Sequence, residues 1–367
     1  MEQWKEYKLG DISNMKYGKL PPKQNNGSYP IWSGYRNVGF ATTYNCRKGT
    51  IIVVARGVGG TGDVKISSED CFLTNLSIAV ELDNKICEPL YFYYKYKLSN
   101  LRYLDTGSAQ SQITIDDLKR LSLKLPPLEE QKRITEVLSS IDYKIELNRR
   151  INDNLEQQAQ ALFDHYFDSG SIYLEDSIMG CLTDIAVYLN GLAMQKFPAT
   201  DIERSLPVLK IKELGQRKCD DCSDRCSDSI DADYIIDNED IIFSWSGTLM
   251  VDVWCGGKCG LNQHLFKVTP LKNYPRWFVY YWTNRHLKKF KLIAKDKAVT
   301  MGHIRRGDLE NAEVAIPTNL NMLEINARIN PLFQSIIDRR LEITKLENIR
   351  DALLPKLMSG ELTINEI

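Results

Sequence analysis

The 367-residue chain has no long apolar run and no excess of either charge. Its N-terminal segment MEQWKEYKLGD lacks the apolar core of a signal peptide, and no stretch approaches the roughly 18 apolar residues of a membrane span. We therefore expect a cytoplasmic protein without a membrane segment. The formal net charge of −1 gives no overall nucleic-acid signature, so any such binding must come from local patches or from partners.

Patterns for metal binding and catalysis are also scarce. The four histidines show no metal-binding spacing with each other, and the chain has neither an N-P-P-[YF] methyltransferase tetrapeptide nor a Walker A lysine loop. Nine cysteines without a secretion signal favour reduced thiols. Cys219-x-x-Cys222-x-x-x-Cys226, with Cys255 and Cys259 downstream, could supply a structural zinc site, but it lies in the acidic stretch KCDDCSDRCSDSIDADY. We expect no metal and no cofactor, with structural zinc as the alternative.

The segment IIVVARGVGGTGDV has three glycines in the G-x-G-x-x-G spacing of dinucleotide-binding loops. That fingerprint needs a helix after the last glycine to receive a pyrophosphate, whereas residues Asp63 to Ile66 alternate between polar and apolar, as in a strand. The pattern predicts a strand, a glycine turn and a second strand. The turn, with Arg56 beside it, is either a plain tight turn or a place where the backbone approaches a ligand closely.

The two halves of the chain repeat each other. Three early residues recur 173 positions later: Asp11, Ile12 and Gly18 match Asp184, Ile185 and Gly191. Six later residues recur 191 positions on: Leu118, Pro126, Ile134, Ile145, Leu155 and Leu162 match Leu309, Pro317, Ile325, Ile336, Leu346 and Leu353. The chain is therefore predicted to be a tandem duplication, with a net insertion in the second copy.

Each copy has a mixed α/β part followed by a helical part. Short β-like runs separated by Gly, Asn and Asp accompany a single aromatic helix after Pro89 or Pro275, which indicates a mixed α/β domain. We predict four segments: two mixed α/β domains, 1–127 and 173–317, the first followed by a long helix, 128–172, and the second by a long helix with a C-terminal tail, 318–367.

The helical segments have apolar residues at alternating spacings of four and three. In the first copy this stripe consists of Ile134, Leu138, Ile141, Ile145, Leu155, Ala159 and Leu162. In the second copy it consists of Ile325, Ile329, Leu332, Ile336, Ile343, Leu346 and Leu353. The remaining seam positions are polar: Asn148 and Asn152 in the first copy, Arg339 and Arg350 in the second. Such a stripe is typical of a coiled coil, and its polar residues fix the register.

Chain order then predicts the pairing of the two helices. The first helix leads from the first domain to the second, and the second helix must leave the second domain, so paired helices would run antiparallel. They would relate the domains by an approximate two-fold axis. Helices of about 36 residues could hold the domains roughly 50 Å apart. The alternative is two separate helical hairpins or an exposed helix that binds a partner.

Three segments carry a resemblance to a known family. LPPLEEQKRITEVLSSIDYKIELN, IPTNLNMLEINARINPLFQSIIDRR and LENIRDALLPKLMSGEL resemble the conserved regions of specificity (S) subunits of type I restriction-modification systems. The segments FSWSGTLMVDVW, GLNQHLFKV and MGHIRRGDLENAEVAIP resemble one recognition-domain subfamily.

The resemblance implies a non-catalytic subunit that reads a bipartite sequence in double-stranded DNA, one half-site per domain. Its helices would dock two methyltransferase (M) subunits, and an endonuclease/translocase (R) subunit would join them. Two alternatives remain: an enzyme with its own methylase or nuclease site, and a coiled-coil adaptor without sequence-specific DNA binding.

Candidate phosphate contacts lie in a basic run from Arg285 to Lys297 and just after it. The residues that we single out are Lys288, Lys289, Lys291, Arg305 and Arg306. Cations at these positions could neutralise phosphates and make the affinity depend on salt. The alternative is an ordinary solvated helix face.

Candidate base-reading residues lie in one loop of each copy. Gln110 and Gln112 of TGSAQSQIT align with Met301 and His303 at the shift of 191. Glutamine pairs with adenine and arginine with guanine in the major groove, so these loops and Arg56 are candidate readers. Trp245, Trp254 and His264 could equally be core residues or buried residues with satisfied polar groups, and the two tryptophans are expected in the core.

Overall fold

The computed structural model describes residues 4–21, 27–34, 36–57, 60–105, 111–168, 171–202, 204–271, 274–296 and 303–364. The chain divides into two compact units. The first unit is Met1–Tyr143 with Glu347–Ile367, and the second is Lys144–Leu346. Because the boundaries fall inside two long helices, each unit contains a globular body and a part of each long helix.

The first unit is built mostly from short strands. They are β1 (Lys5–Lys8), β2 (Ser13–Tyr17), β3 (Tyr29–Ser33), β4 (Arg36–Ala41), β5 (Ile51–Val54), β6 (Val64–Ile66), β7 (Phe72–Leu73), β8 (Ser77–Leu82) and β9 (Ser122–Leu125). Its helices are α1 (Pro89–Lys97), α2 (Ile115–Lys119) and the beginning of the long α3 (Leu128–Phe167). An antiparallel sheet has the order β2-β8-β5-β6, a second sheet has the order β4-β3-β7 with β3 and β7 parallel, and β1 pairs with β9.

The second unit has a longer set of strands. They are β10 (Ile178–Cys181), β11 (Ala186–Asn190), β12 (Ser205–Leu209), β13 (Arg225–Ser227), β14 (Ile235–Ile236), β15 (Ile241–Ser244), β16 (Met250–Val253), β17 (Cys259–Leu261), β18 (Leu265–Pro270) and β19 (Glu313–Ile316). Its helices are α4 (Ile172–Glu175), α5 (Leu182–Ile185), α6 (Ile211–Gln216), α7 (Arg276–Arg285), α8 (Leu287–Asp296), α9 (Arg306–Glu310) and the long α10 (Asn319–Ser359), which ends in the first unit.

The two units repeat one topology, which confirms the predicted duplication. The sheet β11-β18-β15-β16 matches β2-β8-β5-β6, the parallel pair β12–β17 matches β3–β7, and β10–β19 matches β1–β9. The predicted insertion follows β12: only Gly34 and residue 35 separate β3 from β4, whereas α6 and an acidic segment lie between β12 and β13.

The central strand of each main sheet is covered on both faces. All four residues of β5 are buried; Ile51 and Val53 belong to the core shared with the helices, and Ile52 belongs to a smaller cluster on the other face. In β15, Phe243 likewise belongs to the core shared with the helices, and Ile242 belongs to a smaller cluster on the other face. Side chains alternate across a strand, so an unbroken apolar run suits a strand with a core on either side.

The cysteine-rich stretch is spread over separate apolar clusters. Cys255, Cys226 and Cys259 belong to three different clusters, and Cys219 packs against the one that holds Cys259. Among the described residues, no three His, Cys, Asp or Glu side chains are grouped so as to hold a metal ion. Within the same ranges, no helix is both long and apolar enough to cross a membrane.

Both long helices contribute to the core of each unit. The first core buries residues from the start of α3 and the end of α10: Ile134, Leu138, Leu354, Leu357 and Met358. The second core buries residues from the end of α3 and the start of α10: Ala159, Phe163, Ile325, Ile329 and Phe333. The helices therefore run antiparallel, as predicted.

Polar seam residues join the two helices directly. Within the second unit, the side-chain amide of the buried Asn148 donates to Glu342 (2.8 Å) and its oxygen accepts from Arg339 (3.1 Å). Within the first unit, Arg350 donates to Asp142 (2.8 Å). These hydrogen bonds form only when the partner residues of α3 and α10 lie opposite each other. Polar seam residues specify the register of the two helices in this way.

The buried face of the helices is wider than the predicted seam. Of the apolar seam residues, seven are buried: Ile134, Leu138, Ile145, Ala159, Ile325, Ile329 and Ile336. The other seven are half-buried: Ile141, Leu155, Leu162, Leu332, Ile343, Leu346 and Leu353. Other residues of the same helices are buried instead, namely Phe163, Tyr166, Phe167, Phe333 and Ile337. The reason is that each helix end also packs against a globular body.

Arg340 is a buried cation that connects three elements of the second unit. It is 7% exposed and donates to Asp252 of β16 (2.6 Å) and to Glu156 of α3 (2.8 Å). Burial alone would lower the pKa of Arg340, but the Asp252 carboxylate reverses this and raises it. The ion group therefore fixes α10 against both the sheet and α3.

We expect Arg340→Leu to destabilise the second unit strongly, because it leaves carboxylates without their buried cation; breaking such pairs costs about 3–5 kcal/mol. The matched control is Arg328→Leu on the same helix, which removes an exposed pair with Glu324 and should cost less than about 1 kcal/mol. Urea unfolding followed by circular dichroism measures both. Equal losses in the two variants would contradict the role given to Arg340.

Candidate nucleic-acid interface

Three segments of the first unit meet at one end of its main sheet. They are the end of β5, the turn between β7 and β8, and the loop before α2. The backbone N–H of Ala55 donates to the carbonyl of Leu76 (2.8 Å), and that of Ile113 donates to the carbonyl of Ala55 (3.0 Å). Arg56 and Gln112 face each other across a backbone bridge. We call these three segments the loop platform.

The second unit contains the same loop platform. The backbone N–H of Trp245 donates to the carbonyl of His264 (3.4 Å), and that of Ile304 donates to the carbonyl of Trp245 (3.0 Å). Ser246 and His303 form the backbone bridge. The structure thus places Gln112 and His303 at equivalent points, in agreement with their alignment in the sequence.

The glycine segment is a strand–turn–strand unit, as predicted, because β5 pairs with β6 around it. Gly62 has φ +93°, and a Cβ atom there would lie 2.4 Å from the backbone nitrogen of Arg102. The tight packing of the turn therefore explains this glycine. Gly57 has φ +142° and open space where a Cβ would be, while Gly59 lies outside the described residues.

The two tryptophans differ in their surroundings. Trp254 is a core residue, as predicted, with 1% exposure. Trp245 is only partly buried and lies on the loop platform, so the expectation of a plain core residue is wrong for it. Its indole N–H donates to Asn190 (2.8 Å), and its ring centroid lies 5.7 Å from that of Phe266.

A cavity of about 700 Å³ opens beside the platform of the second unit. Its lining includes Asn190, Trp245 and Arg306. In the first unit the position of Asn190 is taken by Tyr17, whose hydroxyl accepts a hydrogen bond from the backbone of Ile115 (3.3 Å). The platforms therefore share a backbone frame and differ in shape.

The basic run is only partly available for phosphate binding. Arg285 donates to Asp168 (2.6 Å) and stacks over Trp282, so it is engaged within the unit. His286 donates to the carbonyl of Glu313 (2.8 Å), and burial lowers its pKa, which disfavours a charged imidazole at this position.

Four described lysines of the run remain on the surface, namely Lys295 and the three that the sequence analysis singled out. Lys288, Lys289 and Lys291 are exposed on α8, while Phe290 of the same helix is fully buried. Lys297 lies outside the described residues. This arrangement fits both interpretations of the run, a phosphate-binding face and a solvated face.

The other predicted residues lie close to the platform in sequence. Arg305 and Arg306 are exposed at the start of α9, and Arg306 is 3.6 Å from Glu310 in an exposed pair. The backbone N–H of Gln112 donates to Asp105 (2.8 Å). Gln110 lies outside the described residues.

The sequence analysis missed one part of the platform, the turn between β7 and β8 and its counterpart between β17 and β18. Asn75 and Leu76 occupy this turn in the first unit, and Gln263 and His264 in the second. Aligning CFLTNLSIAV with CGLNQHLFKV would have found it, because both segments lead into equivalent strands.

A family model described as "Type I restriction modification DNA specificity domain" matches residues 1–157 and 179–350. The chain belongs to this family. It is thus a DNA-recognition subunit and not an enzyme, since methylation and cleavage belong to other subunits. The alternative of an enzyme with its own catalytic site has no support.

Relatives agree with this assignment. The chain is 27% identical over 395 residues to the MjaIX specificity subunit of Methanocaldococcus jannaschii, covering 99% of this chain and 89% of that protein. It is 50% identical over 56 residues to the HindI specificity subunit of Haemophilus influenzae, covering 15% of this chain and 12% of that protein.

A solved structure shares the fold. It is the crystal structure of a type I restriction-modification S subunit from M. genitalium, with a TM-score of 0.63, 19% identity and 96% coverage of both chains.

We expect the triple change of Lys288, Lys289 and Lys291 to alanine to weaken binding to any duplex. The slope of log K against log salt concentration should become shallower, by about one for each phosphate that is no longer neutralised. Fluorescence anisotropy at several salt concentrations measures this. The control is Lys258→Ala, an exposed lysine before β17. An unchanged slope in the triple variant would show that these lysines form only a solvated face.

Proposed function

We propose that the chain reads a bipartite target in double-stranded DNA, with domain 1–127 reading one half-site and domain 173–317 the other. The observation that carries this proposal is the loop platform, which recurs in both units on the same backbone frame with different side chains. Ala55 and Trp245 make equivalent backbone hydrogen bonds, while the side chains around them differ. A repeated frame with unlike side chains suits two readers of unlike sequences.

We assign the contacts by their chemistry. In the first half-site, Arg56 would read guanine and Gln112 adenine in the major groove; Gln110 is assigned with them from the sequence. In the second half-site, His303, Arg305 and Arg306 are the candidates around the platform. Phosphate contacts are assigned to Lys288, Lys289 and Lys291, which position the protein without reading sequence.

The long helices are proposed to dock two methyltransferase subunits, with an endonuclease/translocase subunit completing the complex. Support comes from large apolar side chains that the helices leave exposed: Tyr143 (70%), Ile349 (40%), Leu320 (77%) and Leu323 (67%). Exposed apolar groups on otherwise well-packed helices suit a protein interface. Since the target is cellular or incoming DNA, we place the complex in the cytoplasm.

Co-expression with the cognate methyltransferase and genome-wide mapping of modified adenines tests the function. We expect one split motif. Replacing residues 173–316 with those of another family member should change one half of the motif and leave the other intact. No motif despite complex formation would support the coiled-coil adaptor instead, and changes in both halves would contradict one half-site per domain.

The helix pair is proposed to set the unread gap between the half-sites. Seven residues inserted after residue 143 and seven more before residue 347 would lengthen both helices by about 10 Å. We expect the gap to grow by about three base pairs, at about 3.4 Å each. The control inserts seven residues in α3 alone, which breaks the seam register and should abolish methylation. An unchanged gap in the double insertion would refute this measuring role.

A further inference from the structure

The turn between β17 and β18 belongs to the loop platform but holds none of the residues assigned above. Its carbonyl at His264 accepts the backbone N–H of Trp245 (3.4 Å), which fixes the turn beside the end of β15. In the first unit, the carbonyl of Leu76 accepts from both Ala55 (2.8 Å) and Arg56 (3.2 Å). Both units therefore present this turn next to the proposed base-reading loop.

The His264 side chain is exposed and its ring is oriented by neighbours. Nδ1 lies 3.0 Å from the hydroxyl of Ser246, and Nε2 lies 3.3 Å from the amide nitrogen of Gln263 in the same turn. The ring centroid is 6.2 Å from that of Trp245. The Gln263 amide can only donate, so Nε2 accepts this contact, and a base edge must displace Gln263 before it can pair with the outer nitrogen.

Ser246 connects this imidazole with a second one. Its backbone bridges His303, whose ring centroid lies 6.0 Å from that of Trp245. Three positions of the platform thus correspond between the units: Arg56, Leu76 and Gln112 in the first, and Ser246, His264 and His303 in the second. At the middle position of each set the chemistry changes from apolar to polar, since it is a leucine in one unit and a histidine in the other.

We propose that His264 is a base-reading residue of the second half-site and that Leu76 occupies the equivalent position for the first. This rests on the proposed DNA-reading function. When the Ser246 hydroxyl donates to Nδ1, Nε2 carries the N–H and, once Gln263 is displaced, can donate to N7 or O6 of guanine. A leucine can contact only the methyl group of thymine. We therefore expect a guanine at the position of the second half-site that His264 faces and a thymine at the position of the first half-site that Leu76 faces.

A purely structural role would give a different signature. His264 is exposed and belongs to none of the apolar clusters, so its loss should cost little stability. A residue that reads a base changes discrimination at one position of the motif. A residue that merely supports the turn lowers stability or weakens methylation of every site alike.

The test uses the full chain co-expressed with its methyltransferase, with modified adenines mapped across the genome. In His264→Leu we expect discrimination at one position of the second half-site to fall about tenfold, with the first half-site unchanged. Leu76→His should alter one position of the first half-site only. The control Lys258→Leu makes the same kind of exposed polar-to-leucine change outside the platform and should leave the motif intact.

An unchanged second half-site in His264→Leu would overturn the proposal. If that variant fails to accumulate, His264→Gln replaces it, since glutamine keeps an N–H donor at a different distance from the backbone. A changed base preference at one position of the second half-site supports the proposal. An unchanged motif overturns it. A wild-type chain that directs no split motif would instead refute the proposed function itself, which keeps the two failures distinct.

Discussion

Each globular unit needs both long helices to complete its core, and the rest of the structure depends on this constraint. In the first unit, Leu354 and Leu357, near the end of the chain, are buried in the same core as Leu9, near its beginning. One long helix can complete the cores of two units only if each of its ends packs into a different core. The antiparallel pairing follows from this, and the polar bonds of Asn148 then set the register.

The loop platform separates positioning from reading. Backbone hydrogen bonds around Ala55 and Trp245 fix three segments at the end of each sheet, and these bonds do not depend on side chains. Side chains can therefore diverge without loss of the frame. Tyr17 and Asn190 occupy equivalent positions and illustrate this divergence. Tyr17 accepts a hydrogen bond from the start of α2, whereas Asn190 borders a cavity.

The sequence was sufficient for whatever depends on local pattern or repetition. The duplication, the strand–turn–strand unit around Gly62 and the equivalence of Gln112 with His303 all followed from the sequence pattern. It was insufficient where tertiary packing decides. A stripe of seven-residue period cannot show that Phe163 also faces a globular core. A lone Trp245 in a strand-like run cannot show that the residue is only partly buried. The interpretation of His264 as a core or buried group was wrong, since the residue is exposed on its turn and exposure is a property of the fold.

One pair of equivalent positions in α3 and α10 has a charged residue in the first unit and an aromatic residue in the second. Asp142 lies 191 residues before Phe333; the first accepts hydrogen bonds from Tyr94 (2.9 Å) and Lys97 (2.8 Å), while the second packs on Tyr280 at 5.5 Å. Hydrogen bonds from Lys97 and Arg350 outweigh the effect of burial and lower the pKa of Asp142. A carboxylate at the position of Phe333 would be partly buried among aromatic rings without such cationic partners, which is unfavourable. Each helix segment therefore fits the domain on which it packs. Divergence of the copies must therefore change helix and domain together.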